Sequence, residues 1–369
     1  MKKILVVGQT TPPLGGQAIM MEQLLNGTYK NATLYHVRMS FSRDMNDLGR
    51  LRLGKLFHTV SILFKVAYMR VRHNIRVLYY PPSGPNYLPM LRDMVILLCV
   101  RWMFKKTIFH FHAAGTSEPY PQLPSYLRMI YRWSYFKPDV AIRLSNFPPD
   151  DGAVFQARTQ YVIPNGIEDA YWAMGCPSKP EHPIVCNILF VGMISESKGV
   201  LVLLDAIRIL KENGIFVKVN VVGKFASEDF RKRVMRKVAT HGLETYFDFK
   251  GFLMGQAKHE QYLNADIFCF PTFFESESFP LVVVEAMQFC VPVVVTRWRG
   301  VQALVKDGEN GFMVQIQDSQ PVADKIMLLL ADPNLRVRMG EKGRSMFMQE
   351  YTIEKFYQRM DDCFGNLTM

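Results

Sequence analysis

The sequence predicts an α/β protein built on two parallel sheets, and three observations carry the prediction. Short apolar runs rich in Val, Ile, Phe and Tyr alternate with longer amphipathic segments, the signature of βα units around parallel strands. These runs fall into two sets of six, separated by residues 174–183, which hold three prolines and a glycine and have linker composition. A chain of 369 residues that is 49% hydrophobic is too long for one core and too apolar to stay disordered.

In the first half the runs are residues 4–8, 32–37, 76–80, 107–112, 140–145 and 161–164; in the second they are 187–192, 217–223, 247–251, 267–271, 292–296 and 311–314. Residues 4–8 follow Met1-Lys2-Lys3 directly and form too short a run for a signal peptide, so they read as a buried strand. The longest hydrophobic stretch, 94–100, is bracketed by Arg92, Asp93 and Arg101 and falls far short of the roughly 20 residues a spanning helix needs. The boundaries expected are a first Rossmann-like domain over 1–175, a second over 184–350, and a final helix over 351–369 that composition allows to pack on either domain. The six cysteines form no C-x-x-C pair, which suits a reducing cytoplasm.

Charge is uneven. Residues 1–180 carry 22 Lys+Arg against 10 Asp+Glu, a net +12, and residues 181–369 carry 22 against 23, a net −1. An anionic partner is therefore expected on the first half. The apolar positions from Leu53 to Val71 keep a helical period with Arg50, Arg52, Lys55, Lys65, Arg70 and Arg72 around them, and residues 126–137 interleave bases with aromatics. Either segment suits a helix on anionic lipid, or a core helix with a solvated basic face. Nucleic acid is disfavoured, since no recognition motif accompanies the charge.

The densest chemistry lies at residues 270–287. A strand ends, a polar loop carries Glu277, and Pro280 opens a helix at its first position, with Glu285 inside it. Such a helix start offers unpaired N–H groups to phosphate, so an acid on each side suits a ligand with hydroxyls at both ends and phosphate between, the shape of a nucleotide sugar. On spacing alone, a capping Glu277 and a solvated Glu285 are the simpler reading, and the surrounding residues reverse it. Lys198 opens the helix after the strand 187–192. Gly15-Gly16 follow the first strand without a G-x-G-x-x-G pattern, which disfavours a dinucleotide site. His110 and His112 alternate on one strand and share a face. No D-x-D and no cluster with metal-ligand spacing occurs, so no metal is expected.

The ordered set of Gly15-Gly16, His112, Pro164-Asn165-Gly166, Gly192, Lys198-Gly199, Gly251, Glu277 to Glu285 with its E-x7-E spacing, and Asp307-Gly308-Glu309-Asn310-Gly311 resembles the family 4 retaining glycosyltransferases of the GT-B fold. The resemblance implies a cleft between two Rossmann-like domains and transfer of a sugar from a UDP or GDP donor, with no cofactor. The acceptor it implies is a glycan, and the basic first domain suggests a lipid-linked one at the cytoplasmic face of a membrane. By the same resemblance Glu285 would bind ribose and Glu277 the donor sugar. Lys198 would grip the diphosphate, His112 would meet donor or acceptor, and Ser278, Phe279, Pro280 and Leu281 would lie along the donor. His110 and Asn165 would border the cleft. The chain departs from the family at Met193, where an arginine is usual, and Lys224, Arg297 and Arg299 are candidates to replace that cation. A second departure is residues 289–292, where a glycine is usual before Pro292. A nucleotide-sugar 2-epimerase of the same fold and a non-enzymatic membrane-binding module are the alternatives.

Overall fold

A computed structural model describes residues 1–12, 15–39, 53–147, 149–176 and 185–368. Arg50 and Arg52 lie outside the described residues, as does most of the 174–183 stretch. The chain divides into two units, Met1–Asn165 with Glu354–Met369, and Gly166–Ile353.

All twelve expected strands form, and every pairing between them is parallel. In the first unit they are β1 (Lys2–Gly8), β2 (Ala32–Arg38), β3 (Val77–Tyr80), β4 (Lys106–Phe111), β5 (Val140–Arg143) and β6 (Thr159–Val162), in the order β2-β1-β3-β4-β5-β6. The intervening helices are α1 (Gly16–Asn26), α2 (Leu53–Arg72), α3 (Tyr87–Val100), α4 (Ser125–Tyr135) and the short α5 (Asp151–Val154). Residues Ile4 to Val7 are completely buried because helices cover both faces of the sheet, which is why β1 reads as an unbroken apolar run. Leu5, Val7, Leu78, Tyr80, Phe109 and Phe111 point to the face covered by α2, α3 and α4, where Ile62, Val66, Leu97 and Tyr135 complete one core.

In the second unit, the short α6 (Ala170–Ala173) precedes β7 (Asn187–Val191). Then come α7 (Val200–Glu212), β8 (Lys218–Val222), α8 (Glu228–Thr240), β9 (Phe247–Gly251), α9 (Gly255–Leu263), β10 (Ile267–Phe270), α10 (Leu281–Gln288), β11 (Val293–Thr296) and β12 (Gly311–Val314). Two further helices, α11 (Ser319–Ala331) and α12 (Pro333–Met346), complete the unit. The strand order is β12-β11-β10-β7-β8-β9. The chain reverses direction across the sheet between β7 and β10, and ligands of open α/β sheets bind outside the strand C-termini at such a switch point.

The units change at Asn165, ahead of the proline-rich stretch in which composition placed the boundary. Local bonding explains the difference. Ile167 N–H donates to the Tyr351 carbonyl (3.0 Å) and the Ile167 carbonyl accepts from Ile353 N–H (3.0 Å), while Arg344 donates to Asp169 (2.8 Å). Residues 166–176 are thus held to the second unit before the linker composition begins.

The last helix, α13 (Ile353–Gly365), packs on the first unit. Lys2 Nζ donates to the Phe364 carbonyl (2.9 Å), Asn31 N–H donates to Asp361 Oδ1 (2.9 Å), and the Tyr29 ring meets Tyr357 and Phe364 edge-on.

Candidate functional site

The two strands that flank the switch point of the second sheet deliver the central pair. The loop after β7 carries Lys198, and the loop after β10 carries Glu277. Lys198 Nζ donates to Glu277 Oε2 at 2.6 Å, although 79 residues separate the two in sequence. Thr272 Oγ1 donates to the same oxygen (3.1 Å), and the Lys198 ammonium sits 4.3 Å from the centroid of the Phe274 ring. Both side chains are largely buried, so their attraction is poorly screened.

Backbone contacts hold the two loops together. Phe273 N–H donates to the Ser197 carbonyl (2.8 Å), and Gly199, at φ +83°, caps α7 where a Cβ would stand 2.0 Å from the Pro271 carbonyl oxygen. Only glycine fits there, so the loop bearing Lys198 can press against the end of β10. On the other side, a Cβ on Gly300 would stand 1.6 Å from the Ser278 carbonyl oxygen, which seats the turn Arg299–Ala303 under the Glu277 loop.

Pro280 is the N-cap of α10, one position earlier than the sequence suggested, and Leu281 is the first helical residue. The helix ends at Gln288, and Cys290 beyond it adopts φ +55° within the 289–292 segment where the family has a glycine. Glu277, Ser278 and Phe279 form the loop leading into the helix, whose first two N–H groups, of Leu281 and Val282, precede the first bond of its ladder, Val283 N–H to the Pro280 carbonyl (3.0 Å).

Glu285 lies on α10 with a side-chain exposure of 15%. Lys258 Nζ donates to its Oε1 (2.7 Å) and Tyr262 Oη donates to its Oε2 (2.7 Å). Sequence reading missed both partners. Lys258 and Tyr262 stand four apart on α9 and share a face, a signal visible in the sequence, but nothing in it says that α9 meets α10. Tyr262 is fully buried and stacks on Phe289 at 5.8 Å, and burial together with Glu285 raises its pKa, so the phenol stays a donor.

Gly192, Gly223 and Gly251 stand at the C-terminal ends of β7, β8 and β9, with Gly192 N–H donating to the Val222 carbonyl (3.0 Å) and Gly223 N–H to that of Gly251 (2.8 Å). Met193 is exposed. The loops after β7 and β8 run on in parallel register, Ile194 N–H donating to the Lys224 carbonyl (2.8 Å), so Lys224 emerges beside Met193. Its ammonium rests over the Phe252 ring at 5.1 Å. Arg297 pairs with Asp307 (3.3 Å), and the Arg299 guanidinium lies 5.3 Å from the Trp298 ring centroid.

In the first unit, Gly15 is the N-cap of α1, and among the described residues a Cβ on Gly15 or Gly16 would meet nothing within 4 Å. His112 follows β4, and its ring lies 4.0 Å from that of His110. His110 is fully buried with Nδ1 against the Tyr79 hydroxyl, which places it beneath His112 in the core and not on an open surface. Burial lowers the His112 pKa to about 3 and drives that of His110 well down, so both imidazoles are neutral near pH 7. Asn165 is buried at the end of the first unit. Among the described residues no group of three or more His, Cys, Asp or Glu is arranged to hold a metal ion, and no helix is long and apolar enough to cross a membrane.

Residues 183–346 match the family model of glycosyl transferases group 1. Among curated proteins the chain is 27% identical over 181 residues to the capsular polysaccharide biosynthesis glycosyltransferase CapM of Staphylococcus aureus, covering 48% of this chain and 45% of that protein. It is 32% identical over 183 residues to phosphatidyl-myo-inositol mannosyltransferase of Mycobacterium leprae, covering 49% and 47%. The chain thus spans about half the length of the curated relatives it matches. Among solved structures, Anabaena HepE in complex with UDP superposes with a TM-score of 0.72 at 19% identity over the full length of both chains. The chain therefore has the GT-B fold, and the match to the group 1 glycosyl transferase model lies within its second unit.

Proposed function

We propose that the chain is a retaining glycosyltransferase, moving a hexose-type sugar from a nucleoside diphosphate donor, UDP or GDP, to a glycan acceptor in bacterial surface-polysaccharide assembly. The observation that carries this reading is the Lys198–Glu277 pair at the switch point, beside the start of α10 and with Glu285 farther along that helix. The diphosphate displaces Glu277 from the Lys198 ammonium, which offsets the charge that builds on the leaving group. Glu277, released, accepts hydroxyls of the donor sugar. The first-turn N–H groups of α10 face the phosphates, and Glu285 accepts the ribose hydroxyls. CapM, by its name a capsular polysaccharide enzyme, and HepE, solved with UDP, support the acceptor class and the donor class respectively.

Lys224 supplies the cation that Met193 lacks, since the paired loops after β7 and β8 bring it to that position, while Arg297 is engaged by Asp307. His112, neutral and just beyond the C-terminal end of β4, hydrogen-bonds donor or acceptor without adding charge. The acceptor attacks from the leaving-group face and its proton passes to the diphosphate. No metal takes part. The acceptor is lipid-linked and the protein works peripherally on an anionic cytoplasmic leaflet, which the net +12 of residues 1–180 supports.

The test is a thermal-shift screen of UDP, GDP and ADP sugars, followed by turnover with the stabilising donor in the presence of a chelator. One donor class raises Tm, and Lys198→Ala and Glu277→Gln each lower turnover by about 100-fold. A wild-type protein stabilised by no nucleotide sugar refutes the reading.

A further inference from the structure

The outer surface of the α2, α3 and α4 layer carries apolar area and charge that the sheet does not use. Ile62, Val66, Tyr131 and Tyr135 face the core, yet Phe64 and Tyr68 stand out from the opposite side of α2, Phe64 at 72% exposure. On α4 the exposed Tyr126, Met129 and Trp133 recur at i, i+3 and i+7 and so form one stripe. The turn Arg101–Met103, which links α3 to β4, presents Trp102 at 78% exposure, beside Trp133 at 63%. Aromatic groups gathered on one outward face of a folded unit mark an interaction surface.

The charge on this layer is predominantly positive. Between residues 53 and 137 the chain has twelve Lys+Arg and two acids, Asp93 and Glu118. Asp93 is fully buried and accepts from Tyr80, Ser83 and Arg92. Two of the bases are internal ties. Arg101 donates to the carbonyls of Ser134 (2.9 Å), Phe136 (2.7 Å) and Lys137 (2.6 Å), and Arg70 donates to that of Met103 (2.9 Å). They lace α2, the turn and the end of α4 into one plate. Lys105, Arg128, Arg132 and Lys137 are instead exposed, with no acidic partner among the described residues. Two grooves of about 430 Å³ each share Arg101 and Trp133; Arg132 and Lys137 line one, Trp102 and Lys105 the other, where the one acid, Asp139, is paired with Lys106 and Arg158.

We propose that this plate docks the first unit on an anionic phospholipid leaflet, with the indoles of Trp102 and Trp133 at headgroup depth and the two grooves taking headgroup phosphates between exposed cations. The inference rests on the membrane part of the functional reading and names the surface that meets the lipid. Apolar side chains line the grooves, among them Leu97, Leu98 and Phe136, and cations stand beside them, which matches the glycerol and acyl boundary of a leaflet. The turn and the end of α4 precede β4 and β5, at the N-terminal edge of the sheet. Gly15, Gly16 and His112 lie at the C-terminal edge, so lipid contact leaves the ligand edge free.

Flotation of the full-length protein with vesicles of one-third phosphatidylglycerol in phosphatidylcholine tests this, with pure phosphatidylcholine as control. The wild type floats with the anionic vesicles only. Arg128→Gln, Arg132→Gln and Lys137→Gln together weaken flotation about 100-fold, and Trp102→Gln with Trp133→Gln does so at least tenfold. An unchanged melting transition of the first unit, which holds every substituted residue, shows that the variants remain folded. Brominated lipid quenches the wild type, and it quenches equally the variant with Trp172→Phe and Trp298→Phe, in which only Trp102 and Trp133 emit. Flotation undiminished in both variants, or quenching confined to Trp172 or Trp298, overturns the placement while the membrane reading stands. A wild type that floats with neither vesicle, or that single-stranded nucleic acid binds in their place, overturns both.

Discussion

Glu285 would repel a diphosphate if it stood alone beside one. Lys258 cancels that charge, and with Tyr262 it fixes the orientation of both carboxylate oxygens, leaving their remaining lone pairs for neutral hydroxyls. Lys258→Met should therefore weaken nucleotide diphosphate binding about tenfold, measured by calorimetry, while leaving inorganic pyrophosphate binding nearly unchanged. It should also lower stability by about 1–2 kcal/mol, because a largely buried carboxylate loses its cation. Lys258→Arg should restore most of both. Equal losses for pyrophosphate would place Lys258 at the phosphates and not behind the ribose site proposed at Glu285. The E-x7-E spacing was legible at this scale, since it sits within one loop and helix. Its partners were not, because a hydrogen bond between α9 and α10 depends on how two helices lie side by side, which no local pattern records.

At the scale of the element, β4 shows how a strand turns alternation into chemistry. Its period of two sends His110 and His112 to one face, as the sequence indicated, but only packing decides that Tyr79 meets His110 and that both rings lose their water. The folded pKa of each lies below the ordinary value of 6.5, at about 3 for His112, so the unfolded chain binds more protons between those values. Their contribution to stability is complete above pH 6.5 and is lost as pH falls towards 3. Denaturant midpoints for the wild type should drop steeply over that window, and His112→Gln should flatten the slope. A slope unchanged in the variant would show that the imidazole is solvated. Helix α2 makes the same point. Its apolar period was clear in the sequence, but the period belongs to two faces, one on the core and one outward, and periodicity alone does not separate them.

For the whole molecule, the final helix gives the sharpest test. Removal of residues 354–369 would uncover Tyr29 and leave Lys2 and Asn31 without their partners on α13. We expect the truncated protein to lose the melting transition of the first unit, or to show it at least 10 °C lower, with nucleotide binding by the second unit retained. Loss of nucleotide binding would mean that the second unit depends on α13 for its own fold.

What the sequence determined by itself is the pair of six-stranded parallel sheets and the position of each strand. Strands covered on both faces must be continuous apolar runs, and that mark survives in one dimension. The order of strands within each sheet, the meeting of Lys198 with Glu277 across 79 residues, the change of units at Asn165 and the seat of α13 were decided only by the tertiary structure. Each is a contact between segments far apart in the chain, and alternation of apolar and polar residues says which surfaces must be buried without saying against what.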